Sequence, residues 1–257
     1  MFVHENNIKR KIFSNYNKQG KNLECFYNDC YLPMRNKIEK IDFSKGKKVF
    51  YKATEILNNY RINIHEFASE HKIMSQSKFE SSFLEEISNY LFGNLSVIKS
   101  GKLSIFNKGI YAGLKIKEDF SIDIIKKDVD FCIGKKITLN INNQSPVDLI
   151  IPAISVEVKT YLDATMFGEI KSSSKTLKSA TPNSKAYVLM GYKNIADEHI
   201  LAARQDSTLD ELFVLQEAEN MPLNAETLYE YYVEIVKSIR SITKPSVISV
   251  PGRLLFK

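Results

Sequence analysis

The stretch Ile154-Ser-Val-Glu-Val-Lys-Thr160 constrains the chain more than any other. Its β-branched residues and period-2 alternation predict a strand, on which alternate side chains share a face. Glu157 and Lys159 therefore emerge together, while Val156 and Val158 enter the opposite layer. Burying a lone carboxylate or ammonium is costly, so this pair must be satisfied by each other, by a metal or by a ligand. Glu-x-Lys occurs three times in the chain. Glu70-His-Lys72 and Glu169-Ile-Lys171 fall in segments of helical pattern, where positions i and i+2 diverge around the axis. Only Glu157-Val-Lys159 has the strand context.

Upstream of Gly93 the pattern is helical. Lys47 to Tyr60 and Ser77 to Phe92 carry apolar residues at helical spacing, and Ser77 is placed to cap the second run. From Phe120 onward short β-rich runs dominate: Ile122 to Ile125, Val129 to Ile133, Ile137 to Ile141, Val147 to Ile151 and Ile154 to Thr160, broken by Gly134 and Pro152. A helix over 163–180 follows, capped by Asp163, then a buried strand Ala186 to Met190 and a closing helix Asn224 to Ile242 capped by Asn224. This order predicts an α/β fold, a mixed sheet flanked by helices.

Composition excludes several classes. With 257 residues, 44% of them apolar and 26% charged, the chain can bury a core and is not a disordered tail. Three cysteines are too few for a disulfide framework, and Cys25-x4-Cys30 has no second Cys or His pair at finger spacing, since His4, His65, His71 and His199 are scattered. No Gly-rich phosphate loop occurs, and no motif surrounds His199. The segment Met1 to Phe13 lacks an apolar secretion core, and no run approaches the roughly 20 apolar residues of a membrane span, so a cytoplasmic protein is expected. The 36 Lys+Arg exceed the 30 Asp+Glu, which hints at a polyanionic partner.

A divalent metal at Glu157 would need a second carboxylate, and two compete. Asp130, in Lys127-Asp-Val-Asp-Phe131, sits where a strand begins and shares a face with Cys132, with Val129 and Phe131 facing the core. Asp148 would lie opposite Glu157 if Pro152-Ala153 formed a tight turn. Periodicity leaves both open. Two acidic groups converging beside a lysine suit metal-assisted hydrolysis of a phosphodiester, with Mg²⁺ on oxygen ligands and the lysine offsetting charge in the transition state.

The run Glu157-Val-Lys-Thr-Tyr-Leu-Asp-Ala-Thr-Met-Phe167, preceded by Lys127-Asp-Val-Asp-Phe131, resembles the nuclease core of type II restriction endonucleases of the PD-(D/E)xK superfamily, in the group related to BbvCI and DdeI. The similarity spans residues 127–191, with Val129 where a proline is typical. The resemblance implies a restriction-endonuclease-like core in which Asp130, rather than Asp148, and Glu157 hold Mg²⁺ while Lys159 orients or activates the attacking water. It also implies a further carboxylate from an upstream helix. Among Glu80, Glu85 and Glu86 the first candidate is Glu86, bracketed by Phe83 and Tyr90. In the helix after the motif, Lys171, Lys175 and Lys178 lie opposite Met166, Ile170, Leu177 and Ala180 and could track a DNA backbone, and Ser172-Ser-Ser174 could donate to phosphates.

The expectation is therefore a type II restriction endonuclease that hydrolyses double-stranded DNA at a specific sequence with Mg²⁺. Residues 1–95 would form a helical N-terminal part for DNA contact or subunit pairing, and 96–257 the catalytic core. One core cuts one strand, so a homodimer or a heterodimer with a related subunit is expected. A cognate DNA methyltransferase is expected as system partner without direct contact. The rivals are another nuclease of the superfamily, such as a repair enzyme or nicking subunit, and a non-catalytic DNA-binding protein.

Overall fold

A computed structural model describes residues 2–74, 77–140, 145–205 and 207–243. The first hundred residues are helical: α1 (Val3–Phe13), α2 (Gly20–Phe26), a π-helical segment Tyr27–Tyr31, α3 (Leu32–Ile38), α4 (Lys48–Glu70), α5 (Ser81–Phe92) and the short α6 (Ser96–Lys99). There follow β1 (Ser104–Phe106), β2 (Ile110–Ile116), β3 (Ile122–Lys127), β4 (Phe131–Leu139), β5 (Val147–Leu162), α7 (Ala164–Ala180), β6 (Lys185–Lys193), α8 (Asp197–Gln205), β7 (Glu211–Val214) and α9 (Ala225–Thr243). Two predicted caps are in place. Met166 N donates to Asp163 Oδ1 at 2.8 Å, and Glu226 N and Thr227 N donate to Asn224 Oδ1 at 2.8 and 3.0 Å. Ser77 caps nothing: Lys78 adopts φ +58°, which turns the chain and delays α5 to Ser81. Ile141, the end of one predicted strand, lies outside the described residues.

Seven strands form one mixed sheet in the order β1-β4-β5-β2-β3, with β6 on the second half of β5 and β7 on β6. The β4–β5 pair is antiparallel from Phe131↔Val156 to Leu139↔Val147, whereas β5–β6 and β6–β7 are parallel. Pro152 does not end a strand as the sequence predicts. It lies inside the 16-residue β5, opposite Gly134, where the register shifts between Ile133 and Gly134. A bulge is where a strand tolerates a residue without an N–H. With no turn at Pro152, Asp148 faces Thr138 rather than Glu157. It is exposed, pairs with Lys136 Nζ at 2.6 Å and accepts from Thr138 Oγ1 at 2.9 Å.

The sheet's two faces divide the apolar residues. Phe131, Ile133, Val156, Val158, Tyr187 and Leu189 join the helices of the N-terminal part and α9 in one continuous core. On the other face α7 packs Phe167 and Ile170 against Leu162, Val188 and Met190, and Leu177 against Ile110 and Cys132. Val129 joins Cys132 there instead of sharing the side of Phe131, because residues before Phe131 are no longer in strand alternation. The bulge leaves no space at Gly134, where a Cβ would land on the carbonyl oxygen of Ile151. Gly134→Ala should therefore destabilise the fold by about 1–3 kcal/mol, the usual cost of overpacking, read as a lowered melting temperature; an unchanged melt would refute the close approach.

Candidate active site

Because β4 begins at Phe131, opposite Val156, the part of β5 beyond Val156 has no ladder partner on that side. The orphaned N–H of Val158 donates instead to Asp130 Oδ2 at 2.7 Å. That bond fixes the carboxylate of Asp130 beside Glu157, on the face opposite the valines. Lys159 Nζ lies 3.5 Å from Asp130 Oδ2 and 3.7 Å from Glu157 Oε2. From α7, Ser173 Oγ donates to Glu157 Oε1 at 3.5 Å. The three residues singled out in sequence are thus brought together, whereas Asp148 is not.

Two carboxylates share one ammonium here, and the balance shows in their protonation. Burial pushes the Glu157 carboxyl up to about 7, helped by the charge of Asp130 and a hydrogen bond between the two acids, and opposed by Lys159. Glu85 on α5 is likewise pushed up to about 7, first by burial and then by Asp130, with Lys78 and Lys159 opposing. It lines the same cleft as Asp130 and Glu157, a cavity of about 600 Å³ whose other wall is formed by α1. Of Glu80, Glu85 and Glu86, Glu85 is the one that lines this cleft.

Glu86, the sequence candidate, is not brought there. One residue further along α5 it is rotated by about 100°, and it is fully buried. It accepts from Tyr31 Oη at 2.9 Å, from Tyr90 Oη and from Glu5 N at 3.0 Å. Burial raises its carboxyl above the usual range against these hydrogen bonds. The bracket of Phe83 and Tyr90 marks the core face of the helix, so the same apolar period that drew attention to Glu86 places Glu85 at its border.

None of the three α7 lysines lines the cleft. Lys178 Nζ pairs with Asp210 Oδ2 at 2.7 Å and donates to the Ser207 carbonyl, Lys171 Nζ lies 5.9 Å from the centre of the Phe167 ring, and Lys175 is exposed. Ser173 and Ser174 are buried rather than offered to solvent. The cysteines are free, and among the described residues no group of three or more His, Cys, Asp or Glu is arranged to hold a metal ion. Nor is any helix among them long and apolar enough to cross a membrane.

Acidic oxygens gathered around one ammonium, where a mixed sheet opens into a polar cleft, place the molecule among the restriction-endonuclease-like nucleases. The model of the Bpu10I restriction endonuclease family matches residues 76–243, and the chain belongs to that family. It is a type II site-specific deoxyribonuclease. The fold is similar to a solved structure described as the native BbvCI A2B2 tetramer at low resolution, with a TM-score of 0.75 at 17% identity over 96% of this chain and 99% of that one. No curated protein matches the chain.

The raised Glu157 carboxyl has a measurable consequence for stability. Its proton is held more tightly in the folded state than at the ordinary value of 4.5, so its contribution is complete below that pH and is lost as pH rises through about 7. Glu157→Gln keeps the neutral shape at every pH. The melting temperature of the variant relative to wild type should therefore climb between pH 4.5 and 7 and then level; a constant difference across that range would contradict the shift.

Proposed function

We propose that this endonuclease cleaves DNA with Mg²⁺ bound between Asp130 and Glu157, and that Lys159 acts on the reacting phosphate. The observation that carries this reading is the shared ammonium: Lys159 Nζ lies 3.5 Å from Asp130 and 3.7 Å from Glu157, and two acids gathered in this way, one of them raised by burial and by the other's charge, make a place that favours a cation. The donor set fits a hard ion, being all oxygen and open on the cleft side, as Mg²⁺ requires when it keeps waters and takes a phosphate oxygen. Glu85 lines the same cleft and would add negative charge near the ion. The bound ion would polarise the scissile phosphate and lower the pKa of water.

The chain's own groups would do the rest. The Val158 N–H bond holds Asp130 still, so no reorientation is required as charge builds up. Ser173 steadies Glu157 from α7. The Lys159 ammonium, within reach of both acids, would orient the attacking water and offset the growing negative charge on the phosphate oxygens. One such site cuts one strand, so we propose that the protein works with a second copy or a related subunit, an arrangement supported by the A2B2 composition of the BbvCI structure. Residues 1–95 would aid DNA contact or pairing, and a cognate methyltransferase would protect host DNA in the cytoplasm without touching this chain.

Asp130→Ala, Glu157→Ala and Lys159→Ala should each reduce plasmid cleavage on the order of 10²–10⁴-fold; Lys159→Ala should leave DNA affinity little changed, whereas Asp130→Ala, which strips the Val158 N–H of its acceptor, should also lower the melting temperature. A Lys159→Ala variant that cuts at the wild-type rate would remove that residue from the mechanism, and normal cleavage by either acid variant would remove the metal site. Glu85→Gln should raise the Mg²⁺ concentration needed for half-maximal cleavage. Glu86→Gln should leave that concentration alone and lower the melting temperature, and the reverse pattern would reassign the helical carboxylate.

A further inference from the structure

The cleft that holds Asp130, Glu157 and Glu85 is acidic on its floor, yet its rim carries three cations: Arg10, Lys78 and Lys108. All three side chains are exposed, and among the described residues none has an ion-pair partner. What sets the three apart is their arrangement around one acidic opening, where the charge of Lys78 already acts on Glu85.

Each of the three is held in place by structure. Val3, Asn6, Asn7 and Arg10 fall at i, i+3, i+4 and i+7 of α1, one stripe of the helix, and all four line the cleft. The neighbouring stripe is anchored in the interior. His4 bonds Tyr60 Oη at 2.8 Å and Ser82 Oγ at 2.9 Å, and Glu5 N donates to Glu86. Helix α1 is thereby fixed in rotation, with Arg10 towards the opening. Lys108 sits in the turn between β1 and β2. Gly109, at φ +64°, donates its N–H to Asp128 Oδ1 at 2.9 Å, and Val129 N donates to the Asn107 carbonyl at 3.2 Å. That turn is therefore tied to the residues immediately before Asp130. Lys78 occupies the left-handed region, uncommon for a lysine. Its carbonyl accepts from Asn7 Nδ2 at 3.3 Å, which joins its turn to α1.

We propose that Arg10, Lys78 and Lys108 form a phosphate clamp that grips the DNA backbone beside the scissile phosphodiester. The proposal rests on the reading of Asp130 and Glu157 as the cutting site. A nucleic-acid strand entering this cleft meets four carboxylates, Asp128 as well as Asp130, Glu157 and Glu85, and the repulsion must be offset before a phosphate can reach them. The clamp supplies that offset from fixed positions on two elements of the helical part and one turn of the core. Backbone contacts of this kind set the register without reading bases. The clamp, rather than the α7 lysines, then carries the main electrostatic contact at the site, since Lys178 is already engaged with Asp210.

The test is fluorescence anisotropy with the full chain and a random-sequence duplex in EDTA, titrated from about 50 to 200 mM NaCl, the range over which counterion release dominates. Arg10→Ala, Lys78→Ala and Lys108→Ala should each lower the slope of log affinity against log salt by about one, and the triple variant by about three, with melting temperatures unchanged. Wild-type affinity and slope in the triple variant would overturn the proposal. So would a loss of slope confined to Lys171→Ala and Lys175→Ala. Asp130→Ala separates the two readings: if it cuts like wild type, the metal site falls while the salt slopes still decide the clamp.

Discussion

The hydrogen bond from the Val158 amide to the Asp130 carboxylate is the contact on which the site depends. It exists because β5 outruns its neighbour: β4 stops at Phe131, and the strand beyond Val156 presents an amide that the ladder leaves unmatched. A buried N–H without an acceptor is costly, so the geometry of the sheet demands an oxygen at that spot. Asp130 meets a structural need and, in doing so, is held within reach of Lys159 and Glu157. Backbone economy and the chemistry of the cleft are met by one side chain.

The same principle, one helix serving two environments, operates in α5. Glu86 goes inward to an enclosed set of hydroxyl and amide donors, among them Tyr31, Tyr90 and the backbone of α1. Glu85 goes outward to the cleft. The inward group fastens α1 against α5, and the outward one adds to the acidity that the cations of the rim offset. Burial raises both carboxyls, against the pull of hydrogen-bond donors at Glu86 and with the help of neighbouring acids at Glu85.

Much of this was legible in the amino-acid order, and the exceptions have physical causes. The face shared by Glu157 and Lys159 follows from strand alternation alone, and the caps at Asp163 and Asn224 follow from residue type. What sequence could not show was the bulge. Pro152 reads as a break because its ring removes a donor, and only the register shift opposite Gly134 lets one strand continue through it. A tight turn at Pro152 would have set Asp148 opposite Glu157; the continuous strand sets it opposite Thr138. For α7, lysine spacing revealed a polar stripe but not that Asp210, distant in the chain, would engage Lys178. The rim cations were equally hidden, since Arg10, Lys78 and Lys108 converge only when α1, α5 and the β1–β2 turn pack together.

The adjacency of Glu85 and Glu86 bears on how roles are transferred between relatives. Glu85 and Glu86 are the same residue type, one position apart on a single helix. In the molecule that single step crosses from a half-buried acid at the cleft wall to an interior anchor. Any correspondence drawn through this helix therefore has to be settled by superposed Cα–Cβ vectors, with the tyrosines at 31 and 90 as landmarks for the inward neighbour.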